Sequence, residues 1–286
     1  MRMSDIQALH DLLPAWGGVI ELPAEEIEGG NGEEIIITKP VRLIGKGMNM
    51  SDSQLSRGLT QFNYTGSGVA VQLGTPAQAT PLYGVELKDF TIKNTGGNGV
   101  AGIRVTGNTS QGILTARVLM ENVDARGFSG GLGVGIDLNY GISVTLRRCH
   151  VHQNMYGVRV RWGNGYHFDG LIARHNGQGV RGDAFNGLTL TGWTILESND
   201  YSGLVVSMVD NCRDLILDQV WVENNNIIAS GANDGVFIQP EIAGMYLNFF
   251  TMRHVHFDGG RGNVGTTNVN YAKYERIRWN NGTYLP

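Results

Sequence analysis

From residue 85 onward the chain repeats itself. An alternating apolar segment ends at Asn, and a few residues later Gly opens a second short apolar segment. The first half recurs over 144–154, 167–176, 188–199 and 215–225, closing on Asn154, Asn176, Asn199 and Asn225 at intervals of 22, 23 and 26 residues. The second half recurs as Gly102-Ile-Arg-Val, Gly135-Ile-Asp-Leu, Gly157-Val-Arg-Val, Gly179-Val-Arg-Gly, Gly203-Leu-Val-Val and Gly235-Val-Phe-Ile, at intervals of 33, 22, 22, 24 and 32. A unit recurring at this period cannot bury its apolar face alone, so neighbours must stack.

Each unit holds two or three short alternating segments plus turns and has no stretch long enough for a helix, so the segments are strands. Units joined in one direction stack in parallel about 4.8 Å apart, and the recurring Asn suits an internal ladder of side-chain amides that satisfies backbone groups at a bend. The turns explain the 42 glycines among 286 residues, roughly double the usual share of about 7%. The reading is an all-β, single-stranded parallel β-helix of about nine to eleven rungs, with longer intervals placing extra loops at 102–135 and 203–235. A leucine-rich horseshoe competes, because Leu217 to Asn225 satisfies its consensus. That fold needs a helix or 3₁₀ segment after Asn, where this chain places Gly and another strand.

Upstream, Ser4 to Leu13 reads as a short amphipathic helix, capped by Ser4 or Asp5 and stopped by Pro14, that hides the open strand edge of the first rung. Trp16-Gly-Gly-Val-Ile-Glu-Leu-Pro23 follows, and then Ile37-Thr-Lys-Pro-Val-Arg-Leu-Ile-Gly-Lys-Gly47. With the leading helix, these segments resemble the start of the pectate-lyase-like right-handed β-helix superfamily, most of all its phage tailspike and depolymerase members. The chain departs from that pattern at Ala24-Glu-Glu-Ile-Glu28, where the family has Ala-Gly-x-Tyr. The expected division is a capping helix and entry over 1–17, a β-helix over 18–260 and a C-terminal cap or subunit-contact segment over 261–286.

Composition bounds the partners. The 22 Lys+Arg against 26 Asp+Glu give a net charge of -4, which argues against bulk nucleic-acid binding. No apolar run approaches the roughly 18 residues of a membrane span, and no signal peptide is visible at the start of the sequence. Cys149 and Cys212 sit in no metal or redox spacing and read as buried free thiols. No cofactor and no metal are expected: His254 and His256 with Asp258 lack a further ligand, and the Asp cluster of calcium pectate lyases is not recognisable.

Period-2 alternation sorts the Gly-opened strand. With Ile136, Val158 and Val180 inward, Asp137, Arg159 and Arg181 point outward and stack, and Asn139, Arg161 and Asp183 form a second outward column, with Trp162 and Tyr166 at the following turn. The family likeness implies that a saccharide groove runs along this sheet. On that reading the arginines grip carboxylate or sulfate groups while Asp137 and Asp183 transfer protons. The alternative is a solvated face of weak cross-rung pairs. Only 5 Lys against 17 Arg favours the first. A second column, His152, Arg174, Glu197 and Glu223, precedes the recurring Asn, and Glu197 and Glu223 on neighbouring rungs have the spacing of a retaining glycosidase pair. Asn233-Asp-Gly-Val-Phe-Ile238 is similar to a polygalacturonase segment, which makes Asp234 a candidate acid, although that family's Asp-Asp pair, Gly-His-Gly and Arg-x-Lys are missing.

The resulting expectation is a tailspike-like β-helix that binds and degrades a surface or acidic polysaccharide as hydrolase or lyase, extracellular or virion-associated, as a homotrimer. The competing expectation is a non-catalytic adhesin or structural tail component. Nothing in the residues selects the glycan.

Overall fold

The computed structural model describes residues 1–49, 59–225, 235–258, 264–279 and the backbone of 284–285. Three faces of parallel strands wind round one apolar core. The Asn-side sheet alone runs through ten strands in continuous register, from Glu26–Gly29 through Gln61–Tyr64, Glu86–Asn94, Thr115–Arg126 and His150–His152 to Ile277–Trp279. The Gly-opened sheet includes Val69–Leu73, Ala101–Val105, Val134–Asn139, the first halves of Tyr156–Asp169 and Gln178–Thr191, Ser202–Met208 and Val236–Pro240. The third face takes the second halves of those two long strands together with Gly141–Arg147, Arg213–Asp218, Phe250–Arg253 and Ala272–Glu275. This is the architecture that the repeat predicts.

The two repeated residues have separate physical reasons. A Cβ on Gly157 would lie 2.4 Å from the Gly179 carbonyl oxygen, and one on Gly179 would lie 2.5 Å from that of Gly203. Only glycine lets successive rungs close at that point. The Asn ladder binds the adjacent corner: Nδ2 of Asn154, Asn176 and Asn199 donates to Oδ1 of the next Asn at 3.0, 3.1 and 2.8 Å, and each backbone N–H donates to the same oxygen at 3.1 Å. Each Asn follows a residue in the left-handed region, Gln153 (φ 57°), His175 (φ 52°), Ser198 (φ 52°) or Asn224 (φ 46°), which turns the chain sharply enough to bury the amide.

The helix spans Met3–Leu12 and buries Met3, Ile6 and His10. Its N-cap is Arg2 rather than Ser4 or Asp5: Asp5, three residues in, accepts the Arg2 backbone N–H at 2.8 Å, while the Ser4 hydroxyl turns to Glu33. Lys39 Nζ donates to the carbonyls of His10, Asp11 and Leu13 at 3.1, 2.9 and 2.6 Å and so closes the other end. Parallel pairing runs on past residue 260, and 284–285 then returns antiparallel to Ile277–Trp279. Both cysteines are buried free thiols, which burial pushes up to about 12.

Candidate functional site

On the Gly-opened sheet Arg104, Asp137, Arg159 and Arg181 stand in register on successive rungs with Ile103, Ile136, Val158 and Val180 in the core behind them. The first outward column is therefore as expected, and the same register carries Arg104 on the rung before Asp137. The second column differs. Asn139 pairs with Arg161, but Ala184 stands opposite Arg161, because a register shift leaves Asp183 as an extra residue between Gly182 and Ala184. The bulge places Asp183 beside the first column.

The carboxylates here are not free. Asp137 is fully buried and accepts from Arg104 Nε at 2.8 Å and from Arg161 Nη2 at 2.8 Å. Asp183, equally buried, accepts from Arg159 Nε and Arg181 Nε, both at 2.6 Å. The Arg159 and Arg181 guanidiniums also lie 5.5 and 5.6 Å from the Tyr156 ring centroid. Burial works against the Arg181 charge, and the Asp183 carboxylate more than offsets it, so its pKa rises. Both Asp side chains were expected to transfer protons to a substrate. Their oxygens instead serve as anchors that hold four guanidiniums on one face, each still about a fifth exposed, at 17–26%. Four cations stand against the two buried carboxylates and the exposed Glu241, which Arg181 also reaches, so the face carries a small local positive excess on an acidic protein.

At the edge of this face Trp162 stacks on Tyr140, with centroids 6.1 Å apart and planes 15° apart. Both are half-buried and both occupy the left-handed region, at φ 52° and 63°, which is unfavourable for aromatic residues and holds the pair at the corner beside Arg161. Tyr166, expected at the same surface, is a core residue: it is 1% exposed, its hydroxyl accepts from the Gly141 N–H at 3.2 Å, and burial raises its pKa. Its side chain meets no ligand from there.

The Asn-side sheet carries a different set. Arg126, His152, Arg174, Glu197, Glu223 and Asp258 form one column in unbroken register. Glu197 and Glu223 are rung neighbours and partly exposed, with Arg174 Nη1 3.9 Å from Glu197 and Trp221 Nε1 donating to Glu223 at 2.9 Å. Trp221 stacks on His256 at 4.0 Å. At the upstream end Asp124, His150 and His152 are buried together, with both rings 3.4 Å from Asp124 Oδ1 and stacked 4.4 Å apart. Their ligand atoms fall within 4.8 Å of one another, close enough to hold a metal ion. The surroundings oppose a cation. Arg174 Nε donates to His150 Nε2 at 3.0 Å, which leaves the ring proton on Nδ1 pointing at Asp124, and Arg126 Nε lies 3.5 Å from the same carboxylate. Burial first, and then the nearby His152, Arg174 and Arg126, lower the His150 pKa to about 3 and keep the ring neutral. His254 faces Asp218 and Arg276, while His256 lies under Trp221, so the two do not converge. Asp234 lies outside the described residues.

Sequence reading missed Arg104, Tyr140, Tyr156 and the Asp124–His150 pair. The signals were there: Arg104 occupies the same place in Gly102-Ile-Arg-Val that Arg159 occupies in its own repeat, and Asp124-Ala-Arg126 stands one rung before His150-Val-His152.

No family model matches the chain, and no curated protein matches it by sequence. Solved structures do. The A-module of the mannuronan C-5 epimerase AlgE4 of Azotobacter vinelandii superposes with a TM-score of 0.60 at 17% identity, covering 96% of this chain and 91% of that one. The enzymatically active domain of tailspike protein 2 of bacteriophage CBA120 gives 0.63 at 12% identity over 97% of this chain and 39% of that one. ORF18 of Geobacillus virus E2 gives 0.55 at 12% identity, over 95% and 56%. The ladders, the corner residues and these superpositions agree on one fold, and the chain is a right-handed parallel β-helix.

Proposed function

We propose that the protein binds an acidic polysaccharide along its Gly-opened sheet. The observation that carries this reading is the set of four guanidiniums, on Arg104, Arg159, Arg161 and Arg181, fixed on one face by the buried Asp137 and Asp183. Fixing the guanidiniums in advance removes the rotamer entropy that free arginines would lose on gripping a carboxylate. Stacking of sugar faces on Trp162 and Tyr140 supplies apolar contact beside the charges. The epimerase and tailspike likenesses support a glycan ligand, and a surface glycan met outside the cell or at a virion is the setting that suits it. Light scattering giving a mass near three times 31.1 kDa would support the homotrimer expected from the sequence, and a monomer mass would remove it.

The test is a binding panel on the full chain, comparing uronate-containing polymers with neutral polymers of similar length. Tight binding confined to the anionic polymers is expected. Equal binding of a neutral polymer, or none of either, removes the reading.

A second reading is favoured by the register of Glu197 and Glu223. Two partly exposed carboxylates on adjacent rungs, beside Trp221, suit acid and nucleophile in glycoside hydrolysis. Reducing ends released by the wild type and lost in Glu223→Gln would support it. Absorbance near 235 nm without dependence on either glutamate would instead indicate a lyase acting elsewhere.

A further inference from the structure

Arg181 has two occupied edges, and they differ in kind. Its Nε donates to the buried Asp183 at 2.6 Å, while Nη2 donates to Glu241 Oε2 at 3.1 Å. Glu241 follows Pro240, where the last long strand of the Gly-opened sheet ends, sixty residues from Arg181 in sequence, and its side chain is 52% exposed against 2% for Asp183. The same Oε2 accepts the Ser207 hydroxyl at 2.8 Å, and Ser207 itself is buried, at 4%. A fixed guanidinium edge and a fixed hydroxyl thus converge on one carboxylate oxygen at the solvent side of the sheet.

Resting on the acidic-polysaccharide reading, the geometry points to a carboxylate subsite formed by Arg181 Nη2 and Ser207 Oγ, in which Glu241 holds the place of a uronate carboxylate. Asp183 is the part that stays, because it is buried and shared with Arg159. Glu241 is the part that leaves: an ion pair this exposed is weak, and swinging it into water costs little. The incoming carboxylate takes over the same two donors, so the exchange breaks no hydrogen bond that it does not replace. The subsite selects a carboxylate over a hydroxyl, because a neutral sugar that displaced Glu241 would leave Arg181 half-paired.

The experiment measures the affinity of the full-length chain for polygalacturonate by calorimetry, in the wild type, Glu241→Gln and Glu275→Gln. Glu275 lies on the third face, paired in register with Arg253, and its substitution changes net charge by the same amount. Glu241→Gln is expected to bind about two- to fivefold more tightly, the range set by losing an exposed competing pair. Adding Ser207→Ala should remove the gain, and Glu275→Gln should show none. Equal gains in both glutamate variants would assign the effect to net charge and overturn the subsite, as would unchanged or weaker binding by Glu241→Gln while the wild type binds. Absence of binding in every protein overturns the polysaccharide reading together with the subsite.

Discussion

Arg104 reaches the buried Asp137 carboxylate from the neighbouring rung, Nε to Oδ2 at 2.8 Å, and Asp137 has no exposed surface of its own. The pairing assigns the acid to the scaffold. A buried carboxylate with a cation on either side stabilises only while every partner stays, and removing one member leaves uncompensated charge.

The first prediction follows from that pairing. Asp183→Asn, which would have been a mild substitution had the side chain faced solvent, should instead destabilise the fold by about 3 kcal/mol, because Arg159 and Arg181 lose their shared partner. Urea unfolding measures it. A midpoint within error of the wild type would show that the two arginines find other partners.

The Asn ladder gives the second. Asn176→Ala removes the acceptor of the Asn154 amide and N–H, the donor to Asn199, and the donor to the Val151 carbonyl. Each buried group left unmade costs about 1–3 kcal/mol, so the variant should lose more than 2 kcal/mol by about the lower end of that range. Asn186→Ala, at an exposed position on the same rung, should stay within about 0.5 kcal/mol of the wild type.

Acid sensitivity is the third. His150 is faced by Asp124, His152, Arg126 and Arg174, and its pKa is lowered to about 3. The unfolded chain takes up a proton there below about pH 6.5 that the folded chain refuses, so stability should fall as pH drops from that value towards 3. The contribution of this one group approaches about 1.4 kcal/mol per pH unit. His150→Gln should flatten the dependence between roughly pH 6.5 and 5, above the range where ordinary carboxylates titrate. An unchanged slope in the variant would place the acid sensitivity on other groups.

The fold was legible because a β-helix writes itself into the sequence twice per rung. Gly157 and Gly179 recur where backbones close, and Asn154, Asn176 and Asn199 recur where the corner needs amides, so both periods report the same coil. The helix boundary was one residue off because Arg2 is not a cap-forming side chain; the box is closed by Asp5 alone reaching back to the backbone. The candidate site was legible only as a column. Alternation puts Asp137, Arg159 and Arg181 on one face, but it cannot register the extra residue at Asp183 or tell that the acids lie beneath the guanidiniums. Tyr166 fell on the wrong side for a related reason: it lies beyond the Trp162 corner, where the chain turns onto the next face and the inward phase starts again.

The claim that the arginine face takes an acidic polymer is tested most directly by the salt dependence of polygalacturonate binding in the wild type and in Arg159→Gln with Arg181→Gln. The wild type should bind and weaken steeply as ionic strength rises, because the charges are partly exposed and screened. The double variant should bind at least about tenfold more weakly, with a shallower salt dependence, for the loss of two charge-assisted contacts. Equal affinity and equal slope in the two proteins, both folded by circular dichroism, would contradict the account.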